Sequence, residues 1–204
     1  MGINTAILEL LIIIFIGLAI PGPNALTSFV HSGLFGKKSN ISLITGMAIG
    51  LVIMELIVGL TFESLVNNDN GKIALHWIGL VFLFIMGLAM LRFDLETVNL
   101  NTDKGKLGLK SGILMQFVNG KEWAFVIMIM SQFIGPFGGG IGGIMIIIFI
   151  TLGICIPAMV AWTFFGNSLS KFFSDPTFNK TIFSICGTLL ILLMIGFLIR
   201  GPVS

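Results

Sequence analysis

Apolar residues run along this chain in six long stretches, near residues 8–30, 41–62, 73–92, 108–133, 140–166 and 180–199, with polar connections between them. A hydrocarbon core of roughly 30 Å is crossed by about 20 residues of α-helix, and each stretch is close to that length. The pattern predicts an all-α integral membrane protein with six transmembrane helices. Only the connection at 93–107 is long and polar, and it reads as a solvated hinge. It separates two three-helix repeats, about 1–93 and 108–204, within one transmembrane domain spanning 1–204. The run Gly135-Pro136-Phe137-Gly138-Gly139-Gly140 predicts the turn between helices 4 and 5.

Two of the six stretches are interrupted near their middles. In the first, Ile20-Pro21-Gly22-Pro23-Asn24-Ala25 cannot continue a helix. Each proline removes a backbone donor and pushes the residue before it out of helical geometry. Carbonyls freed in hydrocarbon need partners, so such backbone survives only when buried in protein or lining a polar cavity. Pro23 suits the first position of a restarted helix, and Asn24 suits its exposed amides. The fourth stretch carries Asn119-Gly120-Lys121 at the matching place. Aligning Pro23 with Gly120 sets Asn24 opposite Lys121. With three helices per half and the hinge inside the cell, the second half runs inverted to the first. Inverted repeats with broken helices 1 and 4 point to a secondary transporter. The expected substrate-binding residues are Pro21, Gly22, Pro23, Asn24, Asn119, Gly120 and Lys121. Both helix restarts, with Lys121, are expected to hold one carboxylate of the solute.

Composition supports the membrane reading and narrows it. Residues are 56% hydrophobic and 10% charged, with mean hydropathy +1.08, against about 25% charge in soluble domains. A net charge of +2 with basic residues in loops gives no reason to expect a nucleic-acid partner. Eight basic residues (Lys37, Lys38, Arg92, Lys104, Lys106, Lys110, Lys171, Lys180) fall on one side and two (Lys72, Arg200) on the other. The positive-inside rule then makes the basic loops cytoplasmic and both termini external. The N-terminus lacks a basic region and a small-residue cleavage site, so the first helix is expected to stay. Cys155 and Cys186 lack metal or redox spacing and read as buried small hydrophobes. No catalytic residue, metal site or cofactor is expected.

Three charges fall inside apolar stretches. Glu55 lies far from both ends of helix 2, where a carboxylate costs on the order of 2.5–3.5 kcal/mol to insert. Such groups face the bundle interior and mark pathways. Thr45, Ala48, Val52, Glu55 and Gly59 are expected on one small, polar line. Lys121 and Glu122 sit at the second break. A zwitterion needs both signs, so Glu55 and Glu122 are candidates for proton coupling or for binding the solute ammonium. Gly46 and Gly50 predict a close helix crossing, within the subunit or between subunits. Pro157 predicts a kink in helix 5. His31, His76 and Trp77 are expected at the interfaces, Glu9 near the outer one, and Trp123 in aromatic packing.

From Pro21-Gly22-Pro23-Asn24 onward the chain resembles the lysine exporter (LysE/RhtB) family of bacterial amino-acid efflux proteins. The likeness continues in His31-Ser32-Gly33-Leu34-Phe35-Gly36-Lys37-Lys38, in Gly46-Met47-Ala48-Ile49-Gly50-Leu51, and in Phe117 to Phe125 followed by Ser131-Gln132-Phe133. Gly120 departs from the family by standing where proline is usual; Glu55 and Glu122 are unexpectedly acidic. The resemblance implies export of amino acids or their derivatives from the cytoplasm across the bacterial cell membrane. It also implies proton coupling and a homodimer. A metal- or ion-exporter on the same plan is the alternative, and it would want clustered Asp, His or Cys. An enzyme would need paired cysteines, or a nucleophile with its base; the two histidines are expected at opposite membrane faces.

Overall fold

The computed structural model describes residues 2–19, 22–65, 69–92, 105–173 and 176–201. These residues form eight α-helices and no strand: α1 Ile3–Ala19, α2 Pro23–Phe35, α3 Asn40–Leu65, α4 Asp69–Leu91, α5 Leu109–Val118, α6 Gly120–Phe133, α7 Gly140–Phe173 and α8 Pro176–Arg200. A single 3-10 turn, Lys37–Ser39, links α2 to α3. Helix occupies all six apolar stretches, and both expected interruptions are present. α1 and α2 meet at 51°, α5 and α6 at 70°. Pro21 and most of the 93–107 segment lie outside the described residues. α7 continues through Pro157 as helix.

Among the described residues, α7 over Gly140–Phe165 and the segment Lys37–Ser64 are each long and apolar enough to cross a membrane alone. Each bent pair is long and apolar enough when its two helices are taken together, as a broken span or a re-entrant loop. α4 and α8 contribute the shorter apolar stretches His76–Ile85 and Gly187–Ile199. The turn after α6 falls on the glycine run. Gly138, Gly139 and Gly140 all take positive φ (99°, 72° and 58°), which a side chain resists.

α3 packs most closely on α5, α4 on α8 and α6, and α2 on α7. The Gly46/Gly50 pair belongs to the α3–α5 crossing, inside the subunit. A Cβ on Gly46 would come within 2.1 Å of the Leu109 carbonyl oxygen, and one on Gly112 within 2.2 Å of that of Leu43. Backbone therefore touches backbone, as small residues permit in membranes. Along α3, Leu43, Met47, Leu51, Met54, Val58 and Phe62 are buried at three- and four-residue steps. Glu55 lies beside that stripe, 1% exposed. Thr45 departs from the expected polar line and is exposed with Ile41, Ile49 and Ile53. Ten positions at 3.6 per turn put it about 80° from Glu55.

The α2–α3 junction is clasped by buried polar groups. Leu107 N–H donates to His31 Nε2 at 2.9 Å, so Nδ1 carries the ring proton and donates to Asn40 Oδ1 at 2.6 Å. Asn40 Nδ2 donates in turn to Ser28 O and Thr163 Oγ1. His31 is thus buried, with partners supplied by Leu107, Asn40 and Ser39 from three other segments. His76 is buried as well, while Trp77 beside it is 53% exposed, as an interfacial anchor would be.

Gly112→Ala should lower the thermal unfolding temperature of the detergent-solubilised protein, with an overpacking cost of about 1–3 kcal/mol. Gly142→Ala, where nothing lies within 4 Å of the new methyl group, should not.

Candidate functional site

The breaks create specific debts of hydrogen bonding. Pro21 has no amide hydrogen, so the carbonyl four residues earlier, on Gly17, has no helical partner. Lys121 Nζ donates to that oxygen at 2.6 Å. The lysine is 5% exposed and lies over Gly22, where a Cβ would meet its Cδ and Nζ at 3.0 and 3.1 Å. At the second break α5 ends at Val118 and leaves the Phe117 carbonyl without a helical donor. Trp123 Nε1 donates to it at 2.9 Å. Both repairs come from the first turn of α6. Trp123 also meets Phe117 edge to face, centroids 6.3 Å apart, so its packing role and its hydrogen bond coexist.

The start of α2 faces the end of α5 and the start of α6. Asn24 Nδ2 donates to Gln116 Oε1 at 2.5 Å and lies 3.4 Å from Glu122 Oε1. Gln116 Nε2 donates to the Met47 carbonyl on α3 at 3.1 Å. Asn119, between α5 and α6, is 3% exposed, and neither atom of its amide has a partner. Backbone amides at the first turn of α6 are likewise left over by helix geometry.

Two small cavities lie against this cluster. One, of about 40 Å³, is lined by Gly17, Glu55, Lys121, Glu122, Thr151 and Cys155 with apolar neighbours. The other, of about 30 Å³, is lined by Asn24, Met47, Gln116, Glu122, Cys155 and Met159 among others. Leu18, Leu51, Glu122 and Cys155 wall both. Glu55 Oε2 is buried without a partner. A water needs roughly 10–15 Å³ of such space, so these volumes hold a few waters and no amino acid.

Of the residues expected from the sequence, Gly22, Asn24, Lys121 and Glu122 come together, and Glu55 joins them across the first cavity. Pro23 is exposed at the first position of α2, and Gly120 opens α6. Gln116, Trp123 as a donor, and Gly17 as an acceptor were not anticipated. Gly17 was deducible by counting four back from Pro21. Gln116 is an uncharged polar residue within an apolar stretch, a weak signal by itself. Among the described residues, no group of three His, Cys, Asp or Glu is placed to hold a metal ion.

Broken helices meeting at buried charges in an all-helical apolar chain define a membrane translocator. The chain matches the LysE type translocator family over residues 15–201 and belongs to it. It is also 25% identical over 202 residues to an "Uncharacterized membrane protein" of Vibrio cholerae, covering 93% of this chain and 98% of that one. No solved structure matches it. The family is one of transporters, so membrane transport is the activity it carries.

Lys121→Met should lower the unfolding temperature, because the Gly17 carbonyl is left unpaired at about 1–3 kcal/mol. Lys121→Arg should recover most of the loss, and Trp123→Phe should reproduce a smaller one at Phe117.

Proposed function

We propose that this protein is a secondary transporter exporting an amino acid or amino-acid derivative from the cytoplasm across the bacterial cell membrane, coupled to the proton gradient. The observation that carries the reading is the meeting of the two breaks. Asn24 at the start of α2 and Lys121 and Glu122 at the start of α6 lie together beside Glu55. Half-helix starts at membrane depth suit a carboxylate, and Lys121 adds a full positive charge beside the unpaired amide of Asn119. Glu55 and Glu122 supply the opposite sign, for the solute ammonium or for a proton exchanged against it. Cavities of this size belong to a closed arrangement, so carrying a solute requires the two breaks to part. No observation favours the ion-exporting alternative.

This reading retains six spans, with α1–α2 and α5–α6 each bent across one of them, as inverted repeats. The basic loops then face the cytoplasm. On intact cells, a membrane-impermeant thiol reagent should label Gly2→Cys and spare Lys106→Cys, in a background with Cys155 and Cys186 replaced. Labelling of residue 106 alone would reverse the orientation.

Untargeted measurement of metabolites released by cells with and without the protein tests the function itself. Released amino acids or derivatives are expected, and release of inorganic ions alone would refute the reading. Glu55→Gln keeps the shape and removes the charge, so membrane insertion should be unharmed. Efflux should fall about tenfold or more, the scale of one lost charge-assisted contact, and lose its dependence on external pH. Unchanged efflux with an unchanged pH profile would exclude Glu55 from the mechanism.

A further inference from the structure

The orientation of one buried amide decides what the second cavity offers to its occupant. A backbone carbonyl only accepts hydrogen bonds, so the Met47 oxygen obliges Gln116 to present Nε2 to it. Gln116 therefore turns Oε1 the other way, and Asn24 must answer with Nδ2. The carboxylate oxygen of Glu122 lies on the same nitrogen. Asn24 is left with Oδ1 buried and without a partner, on a side chain 5% exposed. Gln116 is 3% exposed, so neither amide has room to exchange its ends with solvent. Glu55 Oε2 in the adjoining cavity is a second buried acceptor without a donor. Lys121, the cation among the lining residues, is turned to Gly17. Buried polar atoms left unmatched in this way call for a partner. Among the residues lining the cavities the unmatched atoms are oxygens, Asn24 Oδ1 and Glu55 Oε2; the unmatched amide of Asn119 lies outside both linings.

We propose that Gln116 is a positioning residue that locks Asn24 with its carbonyl oxygen available to the solute. The second cavity then takes a hydrogen-bond donor, the substrate's primary ammonium, on Asn24 Oδ1 with Glu122 beside it. This rests on the reading that the solute sits between the two breaks, and it moves Asn24 from the carboxylate end of the solute to the ammonium end. Much of that cavity wall is aliphatic and thioether (Ile44, Met47, Leu152, Ile156, Met159), and it would face an apolar side chain once the two breaks part. A chain of three acceptor–donor steps from one backbone carbonyl thus sets the polarity of the site.

The test uses the full-length protein in liposomes loaded with the standard primary amino acids and the 2-hydroxy acid counterpart of each. Exit under an imposed pH gradient is followed by mass spectrometry, with leakage from protein-free liposomes subtracted. The hydroxy acid keeps the shape and the carboxylate but replaces the charged donor by a neutral one, and charge-assisted bonds are about twice as strong. Wild type should prefer the amino member of each pair it carries. Gln116→Met keeps the side-chain length and removes both amide atoms; it should cut that preference about tenfold, on the scale of one lost contact, while exit of the hydroxy acid persists. Asn24→Ala should do the same and serves if the first variant fails to fold. An unchanged preference, or an equal loss for both members of a pair, would overturn the positioning role. Wild-type export without preference for the amine would overturn the ammonium site and leave transport standing. No exit of any amino acid above that of Glu55→Gln liposomes would remove both.

Discussion

Hydrocarbon supplies no hydrogen bonds, and that constraint organises the middle of this molecule. Each break in a helix frees a carbonyl that must be answered from within the protein. Here the answers are side-chain donors on one turn of one helix, Lys121 for Gly17 and Trp123 for Phe117. The start of α6 is therefore held at both breaks at once. Asn24 and Gln116 add a second stitch between the same segments.

The rest of α6 explains why those stitches hold their places. Every residue from Ala124 to Phe133 is buried, so the helix has no face turned outward along that length. α3, α4 and α7 surround it, and α3 in turn is pressed backbone to backbone against α5 through Gly46 and Gly112. A site built on such an element is preorganised, and the small cavities beside it show how little free volume remains.

Much of this was legible from the chain. The six apolar stretches, the glycine turn and the places of both breaks follow from local rules that proline, glycine and hydrophobic length impose directly. The matched positions of Pro23 and Gly120 also brought Asn24 and Lys121 into one hypothesis, and the fold brings Asn24 to Glu122, next to Lys121 in the chain. What could not be read was which atom of each polar side chain is already committed. Asn24 looks like a donor in the sequence; only Gln116, ninety-two residues away, anchored on the Met47 carbonyl, leaves its oxygen over. The commitments of His31 were hidden for the same reason, since Leu107, Asn40 and Ser39 reach it from other segments. Thr45 was misplaced by treating ten residues as a whole number of turns.

The bond from Lys121 to Gly17 joins residues 104 positions apart, and this matters while the chain is still being made. Synthesis proceeds from the N-terminus, so the first broken helix reaches the bilayer with its freed carbonyl before the lysine that answers it exists. The fourth stretch, for its part, brings Lys121 and Glu122 into the membrane at the head of a helix whose residues from Ala124 to Phe133 are all buried. The first broken helix is thus incomplete in its hydrogen bonding until α6 arrives. Arrival of α6 therefore completes the hydrogen bonding of a segment made more than a hundred residues earlier.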